Sequence, residues 1–420
     1  MHLKRSETRL QPILGLFDAT AIGIGAIIGG GIFVVTGIVA GLAGPALIVS
    51  ILIAAAIAAL TALSLAELTS WLPVEGSVYE YAHRLVSPSA GFLTGWMWIV
   101  SNTFAGAAVS LGFAYYFSSL FLGVQPKLIA VAICIAFTAL NYAGVRQSTA
   151  LNNILVSAKI VILMVFVSSG LFHIQSGNFT PFIPSEVGVL YGTFFIFFAY
   201  GGFARVAVVA EEVKDAKRVV PRAMILSLAI SSFIYLLVGA VAVGLVGAGN
   251  LGRSNSPLVD AIKIVGSPVL VYVISFGGMI ATASVLLTSI LGVSRVAYAM
   301  ARRKDLPSVL SKLHPKHNTP HFSILMVGGI MAMLVLLVDL SAVVAVSTFA
   351  QLFYYGSANA SAIRLKPGAR LYPRFLSVIG LGTCVLLMAF VSPSALTIGV
   401  ICLAFGAAYY YAVRQKVSRI

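Results

Sequence analysis

Residues 22–37 read IGIGAIIGGGIFVVTG, six glycines in sixteen positions, inside an apolar run long enough to cross a bilayer. Each glycine costs a helix about 0.8–1.0 kcal/mol relative to alanine. A second interruption, Ala199-Tyr200-Gly201-Gly202, falls at the centre of another apolar run, in FFIFFAYGGFARVAVVAEEVKDAKRVVPRAM. Unwound backbone offers free N–H groups and carbonyls, which hold a small ion or zwitterion without charged side chains. At membrane depth it is tolerated only where it is buried or lines a cavity. Gly25 and Gly29 also form a GxxxG spacing, which serves helix packing. A nucleotide loop is excluded, because the spacing is G-x-G-x-x-x-G and no strand or soluble domain surrounds it. The run Gly29-Gly30-Gly31 exceeds what a packing motif needs.

Lys159, in NNILVSAKIVILMVFV, lies about nine residues into its apolar run, roughly 14 Å along a helix. A lysine at that depth costs about 2.5 kcal/mol or more, so it requires a partner or a role. Tyr200 and Phe203 flank the second interruption, as a gate or as core packing. Ser101, Asn102 and Thr103 suit either a pocket wall or helix–helix hydrogen bonds. Asp18 and Glu67 read as loop-edge charges or a gate network. Arg205 is placed to pair with Glu211 or Asp18, to snorkel, or to contact the substrate. Glu211 and Glu212 sit among Lys214, Lys217, Arg218 and Arg222, a solvated ion-pair network, and Trp96 and Trp98 suit an interfacial belt. His314, His317 and His321 share a loop with Pro315 and Pro320 and have no Cys or carboxylate nearby, which favours a polar cytoplasmic loop over a metal centre. Cys134, Cys384 and Cys402 fall in apolar segments, so neither a disulfide nor a metal site is expected. No nucleophile–base set and no Walker A loop are present, so enzyme and ATP-driven pump readings are disfavoured and no cofactor is expected.

The elements that must position these groups are membrane helices. The chain is 60% hydrophobic and 9% charged, against roughly 25% charged for a soluble domain. No cleaved signal peptide is evident. Twelve apolar runs lie near 15–40, 45–72, 90–122, 127–145, 150–172, 187–211, 223–247, 268–301, 321–340, 342–363, 375–392 and 394–412. Pro45, Pro126, Pro221 and Pro320 fall at or near span starts, where a missing N–H costs little. With a cytoplasmic N-terminus, 23 of the 27 basic residues fall at the cytoplasmic face, leaving Lys127, Arg253 and Lys263 outside and Lys159 within a span. Both termini are therefore expected in the cytoplasm, in a multi-pass cell-membrane protein. This placement also explains the net charge of +15 without a nucleic-acid partner.

The motifs GIGAIIGGGIF, FFAYGGF with AEEVKDAKRVVPRA, and SRVAYAMARRKDLP together resemble the amino acid–polyamine–organocation superfamily. SLAELTSWLPVEGSVYEYAHRLVSPSAGFLTGW and HPKHNTPH are similar to its second-to-third-span region and its linker before span nine. The resemblance runs from about residue 12 to 375. It implies an all-α membrane protein with a five-plus-five inverted repeat of the LeuT-like kind and two added C-terminal helices. The divisions are a cytoplasmic N-terminus over 1–14, a first repeat over 15–172, a second over 187–363, spans eleven and twelve over 375–412, and a cytoplasmic tail over 413–420. Spans one and six are broken.

The resemblance implies secondary active transport of amino acids by alternating access. The amides of Gly29, Gly30 and Gly31 would hold a carboxylate, and carbonyls of Ile24, Gly25, Phe198 and Ala199 the ammonium, with Tyr200, Gly201 and Phe203 beside them. In some proton-coupled members a span-five lysine stands in place of a sodium ion. Lys159 matches that position, and its implied neighbours are the Gly25 carbonyl and a hydroxyl of Ser284 or Thr288. The expected partners are thus an amino acid, a proton and the bilayer, with oligomeric state open. No acid lies near mid-membrane, so neutral substrates in symport with protons are favoured. An exchanger, an amine or polyamine transporter, and more remotely a non-transporting sensor remain alternatives. The family often has an acidic or small residue after the span-six break, where this chain has Phe203-Ala204-Arg205.

Overall fold

Each of the twelve apolar runs becomes helix in a computed structural model that describes residues 13–73, 77–121, 123–144 and 149–417. Span one is two helices, α1 (Leu16–Ile27) and α2 (Gly30–Ala43), and span two is α3 (Leu47–Trp71). A short helix, α4 (Ser77–Leu85), leads to α5 (Pro88–Ser118), α6 (Pro126–Tyr142) and α7 (Thr149–Leu171). Span six comprises α8 (Glu186–Phe197), a 3-10 turn at Phe198–Tyr200 and one helical turn, α9 (Arg205–Val208). Span seven is α10 (Ala216–Val246), followed by two short helices, α11 (Ala248–Gly252) and α12 (Pro257–Ile262). The remaining spans are α13 (Pro268–Arg302), α14 (His321–Leu337), α15 (Leu340–Ile363), α16 (Arg374–Met388) and α17 (Pro393–Val417). Among the described residues, eight helical stretches suffice by length and composition to cross a membrane, the first holding spans one and two together, while α6, α14 and α16 are shorter.

The outward surface is apolar where a soluble protein would be charged. Ile154, Val161, Phe233, Val269, Leu337, Leu386 and Ile401 are all exposed, as a lipid-facing surface requires. Spans one and six, with α3, α5, α10, α13 and α15 around them, form the interior.

Short contacts define the two ends of the bundle. At the N-terminal end, Leu14 pairs with Val213 in an isolated parallel bridge, Ile13 and Leu14 donate to the Glu212 carbonyl, and Lys214 donates to that of Leu14. The start of span one is thereby tied to the segment after span six. At the opposite end, Lys127 approaches Asp339 at 3.8 Å, and Gln175 N donates to the Gly244 carbonyl.

The start of span seven differs from the sequence reading. Helix α10 begins at Ala216, ahead of the apolar run at 223, because the helix continues into its basic, water-facing turn. Pro221 therefore lies inside the helix. Its missing N–H would free the Lys217 carbonyl, and the Ser70 hydroxyl donates to that carbonyl at 2.7 Å.

Candidate functional site

The two interruptions face each other backbone to backbone. A Cβ on Gly31 would lie 2.6 Å from Ala199 Cα, and one on Gly202 would collide with the Ala26 carbonyl. Two of the glycines are thus needed for close approach. The N-terminus of α2 has no side-chain cap, so its leading amides stay available for an anion.

Most carbonyls freed by the breaks are taken by the protein itself. Tyr235 Oη lies 2.6 Å from the Ile27 carbonyl and 3.2 Å from that of Ala199. Tyr355 Oη donates to the Gly201 carbonyl at 2.7 Å, and Gln351 Nε2 to that of Phe197 at 3.2 Å. Phe198 O accepts from Gly201 N at 3.2 Å, and Ile24 O from Ile28 N at 2.7 Å. Lys159, 2% exposed, donates from Nζ to the Gly25 carbonyl at 3.3 Å.

A small cavity, about 60 Å³ open to water-molecule centres, lies between the breaks. Gly29, Gly30, Gly31, Phe198, Ala199 and Gly201 line it, facing Trp98, Ser101, Asn102 and Gln351. Arg205, Trp98, Ala26 and Tyr354 also border a second, larger space of about 380 Å³, which reaches Leu14 and Glu212 at the N-terminal end. Gly25, Lys159, Ser284 and Thr288 line this vestibule. At the opposite end α2 is covered. Gly41 approaches Gly252, and a Cβ on Gly37 would lie 2.8 Å from the Leu251 carbonyl.

Several sequence expectations are corrected by this geometry. Ile24, Tyr200 and Phe203 line neither space. The Ile24 carbonyl is spent inside its helix, Tyr200 points to the Ile51 carbonyl and packs on Tyr235, and Phe203 stacks on Tyr355 at 4.8 Å. Neither Ser284 nor Thr288 binds Lys159: Arg205 Nη1 donates to Thr288 Oγ1 at 2.6 Å, and the Ser284 hydroxyl donates to Ala281 O of its own helix. Arg205 pairs with neither suggested acid among the described side chains. Asp18 accepts from Gly15 N and Asn153, and the side chain of Glu211 lies outside the described residues. Glu67 is buried and accepts from the amides of Leu371 and Tyr372, tying α3 to the linker before α16. Trp96, half-buried, donates to the Cys402 carbonyl of α17, whereas Trp98 lines the cavity and so does not serve an outer belt. Ser101 lines the cavity and also bonds the Ser347 carbonyl, while Thr103 bonds its own helix. Sequence reasoning missed Tyr235, Gln351 and Tyr355. Their signal is a polar side chain at the middle of an otherwise apolar span.

A family model described as amino acid permease matches residues 18–418. The chain belongs to the amino acid permease family. An uncharacterized transporter of Mycobacterium tuberculosis (strain ATCC 25618 / H37Rv) is 34% identical over 413 residues, 98% of this chain and 93% of its own length. The branched-chain amino acid permease BcaP of Bacillus subtilis (strain 168) is 34% identical over 355 residues, 80% of this chain and 76% of its own. The methylthioribose transporter of the same bacterium is 35% identical over 331 residues, covering 74% and 72%. This permease is therefore a multi-pass membrane transporter, and its cavity between two broken helices is the candidate substrate site.

Proposed function

We propose that this permease is a secondary active transporter of neutral amino acids, working in symport with protons by alternating access at the cell membrane. The observation that carries the reading is the cavity between the two breaks, with the uncapped N-terminus of α2 on its wall. A helix N-terminus favours a carboxylate, and the burial of the site strengthens that preference. A water needs about 10–15 Å³ of such space, so the cavity accommodates roughly four to six waters, close to the heavy-atom count of a small amino acid. Amino acid-binding atoms are the Gly30 and Gly31 amides on one side, the Gly29 amide being spent on the Ile27 carbonyl at 2.8 Å, and the polar wall of Ser101, Asn102 and Gln351 on the other.

Lys159 is the proton carrier in this account. Bound to the Gly25 carbonyl, its ammonium ties span five to the end of α1. Losing the proton removes that tie, and a proton shifts the cycle only through contacts made in one state and not the other.

The packing supports an inverted repeat, with spans one to five over 15–172 and six to ten over 187–363. Span two packs on seven, three on eight and four on nine, and the contact of one with seven is matched by that of six with two. The positive-inside rule places the N-terminal end of the bundle, and thus the vestibule mouth and both termini, in the cytoplasm. The conformation is then inward-facing, closed outside by α11 over α2.

Uptake of each radiolabelled amino acid and of methylthioribose into proteoliposomes tests the reading. Uptake of at least one neutral amino acid is expected. Uptake of methylthioribose with no amino acid carried would replace it with the chemistry named for one relative.

A further inference from the structure

Arg205 is the residue that the proposed mechanism leaves without a task. It borders both the cavity and the vestibule, so a solute leaving the break for the N-terminal end passes its side chain. Its described hydrogen bonds go to two neutral hydroxyls of α13, Thr288 Oγ1 at 2.6 Å and Ser289 Oγ at 3.4 Å. No described carboxylate lies within 4 Å of it. Lys159 lines the same vestibule, and so does Arg295, which is exposed at the mouth. Against these three cationic side chains the described lining holds one carboxylate, Glu212. A narrow path with low-dielectric walls concentrates such a field, and like charges are excluded from it.

We infer that Arg205 determines charge selectivity, its guanidinium barring cationic substrates from the cavity. The assignment rests on the reading of that cavity as an amino acid site. Thr288 and Ser289 hold the planar fork toward the path, and a fully ionised guanidinium keeps its charge at every physiological pH. Discrimination of this kind works by repelling the wrong solute, with no added contact to the right one.

Uptake of radiolabelled L-alanine, L-leucine and L-lysine is compared in proteoliposomes of wild type, Arg205→Gln, Arg205→Lys and Ser289→Asp. Wild type should carry a neutral substrate and exclude L-lysine. Arg205→Gln should raise the ratio of lysine to neutral uptake at least about tenfold, since like-charge juxtaposition outweighs one decade of affinity. Arg205→Lys should restore exclusion, which a merely structural role would not predict. Ser289→Asp leaves Arg205 in place and pairs its charge, so it should also admit lysine and decides the matter if Arg205→Gln does not fold. Lysine uptake by wild type, or a lysine ratio unchanged in both Arg205→Gln and Ser289→Asp, overturns the assignment. Wild type that carries none of the three overturns the neutral amino acid reading itself, and the assignment with it.

Discussion

The Tyr235 hydroxyl of α10 sits 2.6 Å from the Ile27 carbonyl, at the last residue of α1 before the span-one break. The same oxygen is 3.2 Å from the Ala199 carbonyl in span six, so one side chain serves both breaks. Tyr235→Phe removes this donor. Gly29 N still reaches Ile27 O at 2.8 Å, so the Ala199 carbonyl bears most of the loss. An unsatisfied buried carbonyl costs about 1–3 kcal/mol, and the low end applies here. The expected outcome is a lower melting temperature in detergent with the protein still monodisperse. An unchanged melting curve would show that the breaks hold themselves open without Tyr235.

Filling the cavity should block it without unfolding the bundle. A Cβ on Gly30 would meet Val109 at 2.6 Å, so a larger residue there probes packing against α5. Ala105 is the better position, because it lines the cavity and is partly exposed to it. Ala105→Phe should abolish amino acid binding, read as loss of ligand-induced thermal stabilisation. Retained stabilisation would move the site away from the breaks.

The fold was legible because hydropathy reports which segments a bilayer accepts, and all twelve spans follow from it. The breaks were legible for a related reason: Gly29-Gly30-Gly31 and Gly201-Gly202 interrupt runs that otherwise have no cause to stop. Which carbonyls stay free was not legible. That depends on Tyr235, Gln351 and Tyr355, which come from spans seven and ten and meet the breaks only after the helices pack. Arg205 misled for the same reason, since its hydroxyl partners on α13 are more than eighty residues away. Local charge pattern pointed instead to Asp18, which binds Gly15 and Asn153.

Acid should loosen α4 from the rest of the bundle. Burial raises the Glu80 carboxyl, and hydrogen bonds and charge from Arg84 and Arg303, each at 2.8 Å, lower it further, to below its ordinary value of 4.5. A depressed carboxyl contributes stability that is fully present above its unfolded value and is lost as pH falls through the folded one. The contribution of Glu80 to the melting temperature should therefore be full and constant between about pH 5 and 8 and be lost below about pH 4. Glu80→Gln should lower the melting temperature at neutral pH, with the gap to wild type closing in acid. A gap independent of pH would deny the ion pairs that role.

Orientation is testable by labelling. Lys217 and Arg253 are exposed at opposite ends of the bundle. With the native cysteines replaced, Lys217→Cys should react with an impermeant reagent only from the cytoplasmic side, and Arg253→Cys only from outside. Labelling of position 217 in intact cells would invert the topology, and the vestibule would then face outward.

The most direct test is accumulation of substrate against its gradient, driven by an imposed pH difference across proteoliposomes. Wild type should concentrate a neutral amino acid toward the alkaline side and lose that accumulation with a protonophore. Lys159→Ala should abolish accumulation while ligand-induced thermal stabilisation remains, because the Gly25 tie is lost and the cavity between the breaks is kept. Accumulation by Lys159→Ala equal to wild type, or wild-type uptake indifferent to the pH difference, would contradict proton coupling through Lys159.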